Sequence, residues 1–174
     1  MARLKTIPDP EIFAAVQRLL AEGGEKSVAF ASVGRATGLA ASTLVQRYGS
    51  RDAMLRAALF AAWDTLDAAT AKAEANASPN EKGALALLKA LGRDHGVAID
   101  LAQLAADFRN PDLRARAESW RRRVEAALAI RHGDGAKGRE AAALLFALWQ
   151  GQNLWQPAGG KGFRLKDALR RLNG

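Results

Sequence analysis

Six side chains between positions 42 and 51 are of the types that recognise a nucleic acid. Ser42, Thr43, Gln46 and Arg47 fall on one short run of helical sequence, and Tyr48 and Arg51 follow it. A guanidinium such as that of Arg47 pairs with guanine O6 and N7 or with a phosphate, and the Gln46 amide matches adenine N6 and N7. The hydroxyls of Ser42 and Thr43 suit base edges or phosphate oxygens. Ala41 and Val45, among them, can touch a thymine methyl. Arg51 opens the next helix, where free main-chain N–H groups also favour an anion. Tyr48 reads chiefly as core, with its hydroxyl in reach of a phosphate. An ordinary solvated helix surface is the competing reading of the same residues. If Arg47 contacts DNA, Arg47→Ala should weaken binding to a specific site by roughly 1–3 kcal/mol.

Such side chains read a groove only when a rigid frame presents them, and the stretch Val28 to Leu55 has the pattern of one. Two short helical runs, 31–37 with Val33 and Ala36 inward and 41–47 with Leu44, flank Gly38, which suits a left-handed helix cap. Leu39 packs under the turn. Helix, tight turn, helix is the outline of a helix-turn-helix reader. The second run is too short to hold alone, so Leu44 and Tyr48 must anchor it. Upstream, residues 1–8 read as a loose basic arm with Arg3 and Lys5. Asp9-Pro10 starts a helix, Asp9 as cap and Pro10 in the first turn. Ile12, Phe13, Val16, Leu19 and Leu20 recur at helical spacing, and Gly23-Gly24 ends the run.

Beyond Gly49-Ser50, a long helix over about 51–75 carries a stripe of Leu55, Leu59, Ala62, Leu66, Ala69 and Ala73. Its first turn belongs to the reader and the rest to a second region, so a boundary is expected near Arg56 with no flexible linker. A rigid shared helix of this kind can transmit a tilt. After the loop NASPN (76–80), helices are expected at 81–92, 97–108, 112–131, 139–155 and 163–172, with loops at 132–138 and 157–162. Without strand patterns or repeats, the fold class is all-α.

The bulk composition bounds the rest. The 174 residues are 49% hydrophobic and 25% charged, enough to bury a real core. The chain has no cysteine, which removes disulfides, zinc ribbons and thiol nucleophiles. The net charge of +8 is spread along the chain: residues 1–56 hold eight Lys/Arg against five Asp/Glu. Such a surplus favours polyanions. No signal peptide and no membrane-length apolar run is apparent, so a soluble cytoplasmic protein is the expectation. His95 and His132 lack metal-ligand spacing, and no cofactor or metal is expected. No Gly-rich phosphate loop, HExxH or carboxylate–histidine cluster is present, which argues against an enzyme.

Residues 9–59 resemble the N-terminal domain of the TetR family of transcriptional regulators. The resemblance is carried in register by Val33, Thr37-Gly38, Leu39, Thr43-Leu44, Tyr48, Ser50-Arg51-Asp52-Ala53 and Met54-Leu55, and by the preceding helix ending in Glu22-Gly23-Gly24. Four positions depart from the family's pattern: Ala29 stands for the small capping threonine, Ala41-Ser42 for a Lys-Gly pair, and Val45 for an aromatic that touches the DNA backbone. Arg51 matches a lysine position the family uses for phosphate.

The resemblance implies a 1–56 DNA-binding domain joined by the shared helix to a 57–174 ligand-binding and dimerisation domain. It further implies a homodimeric repressor that a small molecule releases from its double-stranded operator. In such proteins the last two helices pair in a four-helix bundle; here Leu144, Leu145, Leu148, Gly151 and Trp155 are the expected dimer face, and Trp149 turns inward. Leu88, Leu104, Phe108, Trp120 and Phe146 are the expected lining of an apolar effector pocket, with a filled core as the alternative. Arg114, Arg116 and Arg121–Arg123 form a basic helix surface, either solvated or facing an acidic effector. The runner-up for the whole chain is a helical interaction or ligand-sensing protein of the same fold without specific operator binding.

Overall fold

Two prolines decide where the first helix starts. Pro8 occupies the N-cap position with extended backbone, and α1 runs from Asp9 to Gly23 with Pro10 in its first turn. Asp9 is therefore the first helical residue and makes no cap bond, a correction to its expected role. The computed structural model describes residues 7–92, 107–133, 135–159 and 164–167.

After Gly24 (φ 65°) a short 3-10 turn, Glu25–Ser27, leads to α2, Phe30–Thr37. Ala29 cannot cap this helix through its side chain. Ser32 replaces it, its hydroxyl accepting the Ala29 N–H at 2.9 Å. Val33 is buried as expected, whereas Ala36 faces outward. Gly38 takes the left-handed conformation (φ 75°, ψ 15°) and its N–H returns to the Gly34 carbonyl. A side chain on Gly34 would also collide with the turn, its Cβ lying 2.6 Å from the Leu39 carbonyl oxygen. Helix α3, Ala41–Tyr48, follows. Ser50 then accepts the Ala53 N–H and caps α4, Arg51–Asn76.

The chain divides into two compact units, Met1–Asp64 and Thr65–Gly174, and the division falls inside α4. In the first unit, Ile7, Ile12, Val16, Val28, Val33, Leu44, Met54 and Ala58 make the core. Gln17 ties α1 to α4 by donating to the Ala58 carbonyl at 3.0 Å.

Among the described residues, the second unit contains the end of α4 and three further α-helices. Helix α5, Glu81–Ala90, is capped by the Asn80 side chain, which accepts the Gly83 N–H. Helix α6, Pro111–His132, is capped by Asn110. Helix α7, Ala136–Trp155, begins earlier than its apolar pattern predicts, inside the expected loop 132–138. Leu66, Leu87, Leu88, Leu113, Val124, Leu128, Ala142 and Leu145 lie in its core. Arg131 spends its guanidinium on the carbonyls of Glu74, Ala77, Ser78 and Ala127, closing the α4–α5 loop onto α6. Most of the expected helix 97–108 and most of 163–172 lie outside the described residues. Among the described residues the structure is all-α.

Candidate nucleic-acid interface

At 3.6 residues per turn, α3 has two distinct sides. Ala41, Ser42, Val45 and Gln46 share one face and all four are exposed. Val45, an isopropyl group, is 44% exposed there. Leu44 is fully buried on the opposite side, and Thr43 and Tyr48 are half-buried.

The other sequence-predicted residues are engaged within the unit. The Arg47 Nη1 donates to the Ile7 carbonyl at 2.7 Å, and its Nε lies 2.9 Å from Asp9 Oδ1. Its guanidinium also stands 5.9 Å from the Tyr48 ring centroid. The Tyr48 hydroxyl donates to the same Asp9 carboxylate, and its ring packs against Phe13 with centroids 6.1 Å apart. Burial, reinforced by that hydrogen bond, holds the Tyr48 phenol well above its ordinary pKa. Arg51 donates to the carbonyls of Val28, at 2.7 Å, and Glu25, and pairs with Asp52. Arg47, Tyr48 and Arg51 thus fasten α3 and its flanks to α1 and the 25–28 loop, while Ser42 and Gln46 point to solvent.

Sequence reasoning treated Asp9 as a cap and so missed it as the acceptor that gathers Arg47 and Tyr48. It also passed over Lys26 and Arg35, which are exposed beside the motif and available to phosphates. Their only signal was charge, Lys26 in the turn before α2 and Arg35 in the last turn of α2.

In the second unit, Trp120, Phe146 and Trp149 meet in one cluster, with ring centroids 5.8 to 6.4 Å apart. The Trp120 Nε1–H donates to Thr70 Oγ1 at 2.9 Å, and the Thr70 hydroxyl donates to the Leu66 carbonyl. Thr70 is fully buried and was not anticipated, because an isolated threonine in an alanine-rich helix carries no pattern. Leu88 is buried as well, but Phe108 is 46% exposed and does not join the cluster; Leu104 lies outside the described residues.

Helix α7 buries Gly138, Ala142, Leu145, Phe146 and Trp149 along one side. Leu145 is 0% exposed in the single chain, which withdraws it from the expected dimer face. Its side chain belongs to the core because it shares the buried side of the helix with Ala142, Phe146 and Trp149. Leu144 and Trp155 are 45% and 65% exposed on the opposite side, with Leu148 and Gly151 partly exposed between them. Leu154, 51% exposed, extends that face and was missed. A Cβ on Gly151 would meet nothing within 4 Å, so the backbone is open there.

The basic surface of α6 is largely neutralised. Arg116 pairs with Asp67, Arg121 with Glu125, Arg122 with Glu118 and Arg123 with Glu74, at 2.6 to 2.8 Å; Arg114 is exposed. The Glu74 hydrogen bond raises the Arg123 pKa further. Little charge is left there for an acidic effector. His132 ends α6 half-buried, and burial lowers its pKa from the ordinary value; His95 lies outside the described residues. No helix among the described residues is long and apolar enough to cross a membrane.

No family model matches the chain, and no curated protein sequence does. Its fold, however, is found in solved structures. A protein of Streptomyces coelicolor A3(2) assigned as a transcriptional regulator superposes with a TM-score of 0.70 at 21% identity, covering 94% of each chain. The multidrug-binding protein EbrR, solved in complex with imidazole, gives 0.67 at 22% identity over 97% of this chain and 96% of that one. A Rhodococcus protein assigned to the TetR family of transcriptional regulators gives 0.65 at 17% identity over 94% and 93%. The chain has the all-α fold of these proteins along nearly its whole length.

Proposed function

We propose that the chain is a TetR-family transcriptional regulator: a DNA-binding homodimer of the cytoplasm, acting as a repressor whose hold on its operator a small apolar molecule modulates. The observation that carries this reading is α3 itself. A helix with one side anchored and Ser42, Val45 and Gln46 turned to solvent, behind a left-handed glycine turn, has the form of a major-groove reader. The fold shared with regulators supports it. A twofold arrangement follows from the reading of two half-sites, and the Leu144–Trp155 face of α7 is the surface we assign to it. The Trp120–Phe146–Trp149 cluster is where we place an effector, by displacement of rings that now pack on one another. Nothing in this reading asks for catalysis or a cofactor.

The commitment of Arg47 and Arg51 to internal acceptors favours one alternative, a regulator of the same fold with weak operator preference. A gel-shift titration against the chain's own upstream DNA separates the two. Tight, retarded complexes that vanish steeply between about 50 and 200 mM salt, with an unrelated duplex bound at least ~1000-fold more weakly, support the operator reading. Equal affinity for both duplexes would sink it.

A further inference from the structure

The outward face of α3 carries a methyl, a hydroxymethyl, an isopropyl and a carboxamide, from Ala41, Ser42, Val45 and Gln46, and no cation. Guanine offers two acceptors to the major groove, O6 and N7, and is met best by the paired donors of an arginine or by a lysine. Adenine offers N7 as acceptor and N6 as donor, which the Gln46 carboxamide complements in one bidentate contact. Val45, the neighbouring residue on the same face and 44% exposed, presents bare hydrocarbon of the kind that covers a thymine methyl.

Arg47 is the one side chain on α3 suited to guanine; it is exposed, but it stands on the side of the helix away from that face. Its Nη1 and Nε are in use on the Ile7 carbonyl and Asp9, and the Asp9 carboxylate offsets its charge. The Tyr48 hydroxyl on that same carboxylate keeps Asp9 in place. To reach a base edge Arg47 would have to leave both acceptors and the face of Tyr48 together. Arg51, the next cation, is held by the Val28 and Glu25 carbonyls.

We infer that α3 selects A·T base pairs, Gln46 holding an adenine and Val45 covering a thymine methyl, and that Asp9 is the positioning residue that keeps Arg47 out of the groove. The inference rests on the reading of the chain as a sequence-specific DNA-binding regulator and adds to it the chemistry of the site it reads.

The test is a selection of binding sites from random duplexes by the full chain, followed by titrations of the selected site. The selected half-sites should carry A·T pairs at adjacent positions. Gln46→Ala should lower discrimination at one of these pairs by roughly 5- to 150-fold. Replacing the adjoining thymine by uracil should weaken the wild type about fourfold, the loss of one buried methyl, and leave Val45→Ala unmoved. Arg47→Ala loosens the last turn of α3 and should weaken binding to all duplexes alike, yet return the same motif with the same salt slope, because no phosphate or base contact is lost. Asp9→Ala frees Arg47 and should steepen the slope of log K against log salt by about 0.9 while admitting G·C at a read position. Asp9→Glu, which keeps the carboxylate, should restore the original motif. Half-sites centred on G·C, or a motif altered by Arg47→Ala, overturn the inference and leave the DNA-binding reading intact. A selection that enriches nothing overturns both.

Discussion

Helices α3 and α7 each show solvent a face that should be covered, yet they are held in opposite ways. Helix α7 is long and, among the described residues, is gripped by packing: Ala142, Leu145, Phe146 and Trp149 are buried on one side, and large apolar groups remain exposed on the other. Helix α3 has only Leu44 fully buried. Polar ties do the rest, from Arg47 and Tyr48 to Asp9 and Ile7. The difference follows from length. An eight-residue helix buries too little apolar surface to fix its own angle, so directed bonds at its last turn define it. Their direction also decides what stays free. The exposed face of α3 is small and mixed, suited to the polar edges and methyls of a groove. That of α7 is broad and apolar, suited to another apolar helix.

The largest test of this contrast is Trp120→Ala, which removes the ring that packs on the inner side of α7 and strips Thr70 of its donor. Unfolding in urea should show a loss of about 3–5 kcal/mol. A loss below about 1 kcal/mol would mean that α7 is not packing-held. The next is a pair one residue apart. Leu145→Ala should cost about 2–5 kcal/mol of stability, whereas Leu144→Ala should cost under about 0.5 kcal/mol yet raise the dissociation constant of self-association in sedimentation. Equal effects of the two on stability would erase the distinction between the faces of α7. The smallest sharpens the α3 side: Tyr48→Phe keeps the ring beside Phe13 but removes the bond to the Asp9 carboxylate. It should destabilise the first unit by about 1.5–3 kcal/mol, seen as earlier melting, with the solvent face of α3 untouched. An unchanged melting curve would mean that packing, not the polar tie, holds the helix.

Much of this molecule was legible from residue order. Most helix ends in the first unit, the left-handed Gly38, the Ser50 cap and the buried Val33 and Leu44 follow from rules that act within a few residues, so local pattern suffices for them. Even the all-α class is a sum of such local preferences. The site was legible in part: Ser42 and Gln46 face outward as their types suggest. Other assignments failed where the deciding partner is far along the chain. Asp9 reads as a cap until Arg47 and Tyr48 arrive beside it from nearly 40 residues away. Ala36 and Leu145 have the right chemistry for the faces assigned to them and lie on the other side, because periodicity leaves a rotation that only neighbouring helices settle. Phe108 is apolar and stays exposed, since hydrophobicity alone does not say which surface is near.

By itself, then, the sequence determined most of the described helical segments, the turn at Gly38 and which residue types sit on α3, because those are set by backbone sterics and spacing along one chain. Tertiary structure decided which of those side chains remain free. A guanidinium binds whatever acceptor the fold brings within about 3 Å, and for the Nη1 and Nε of the exposed Arg47 those acceptors are the Ile7 carbonyl and Asp9.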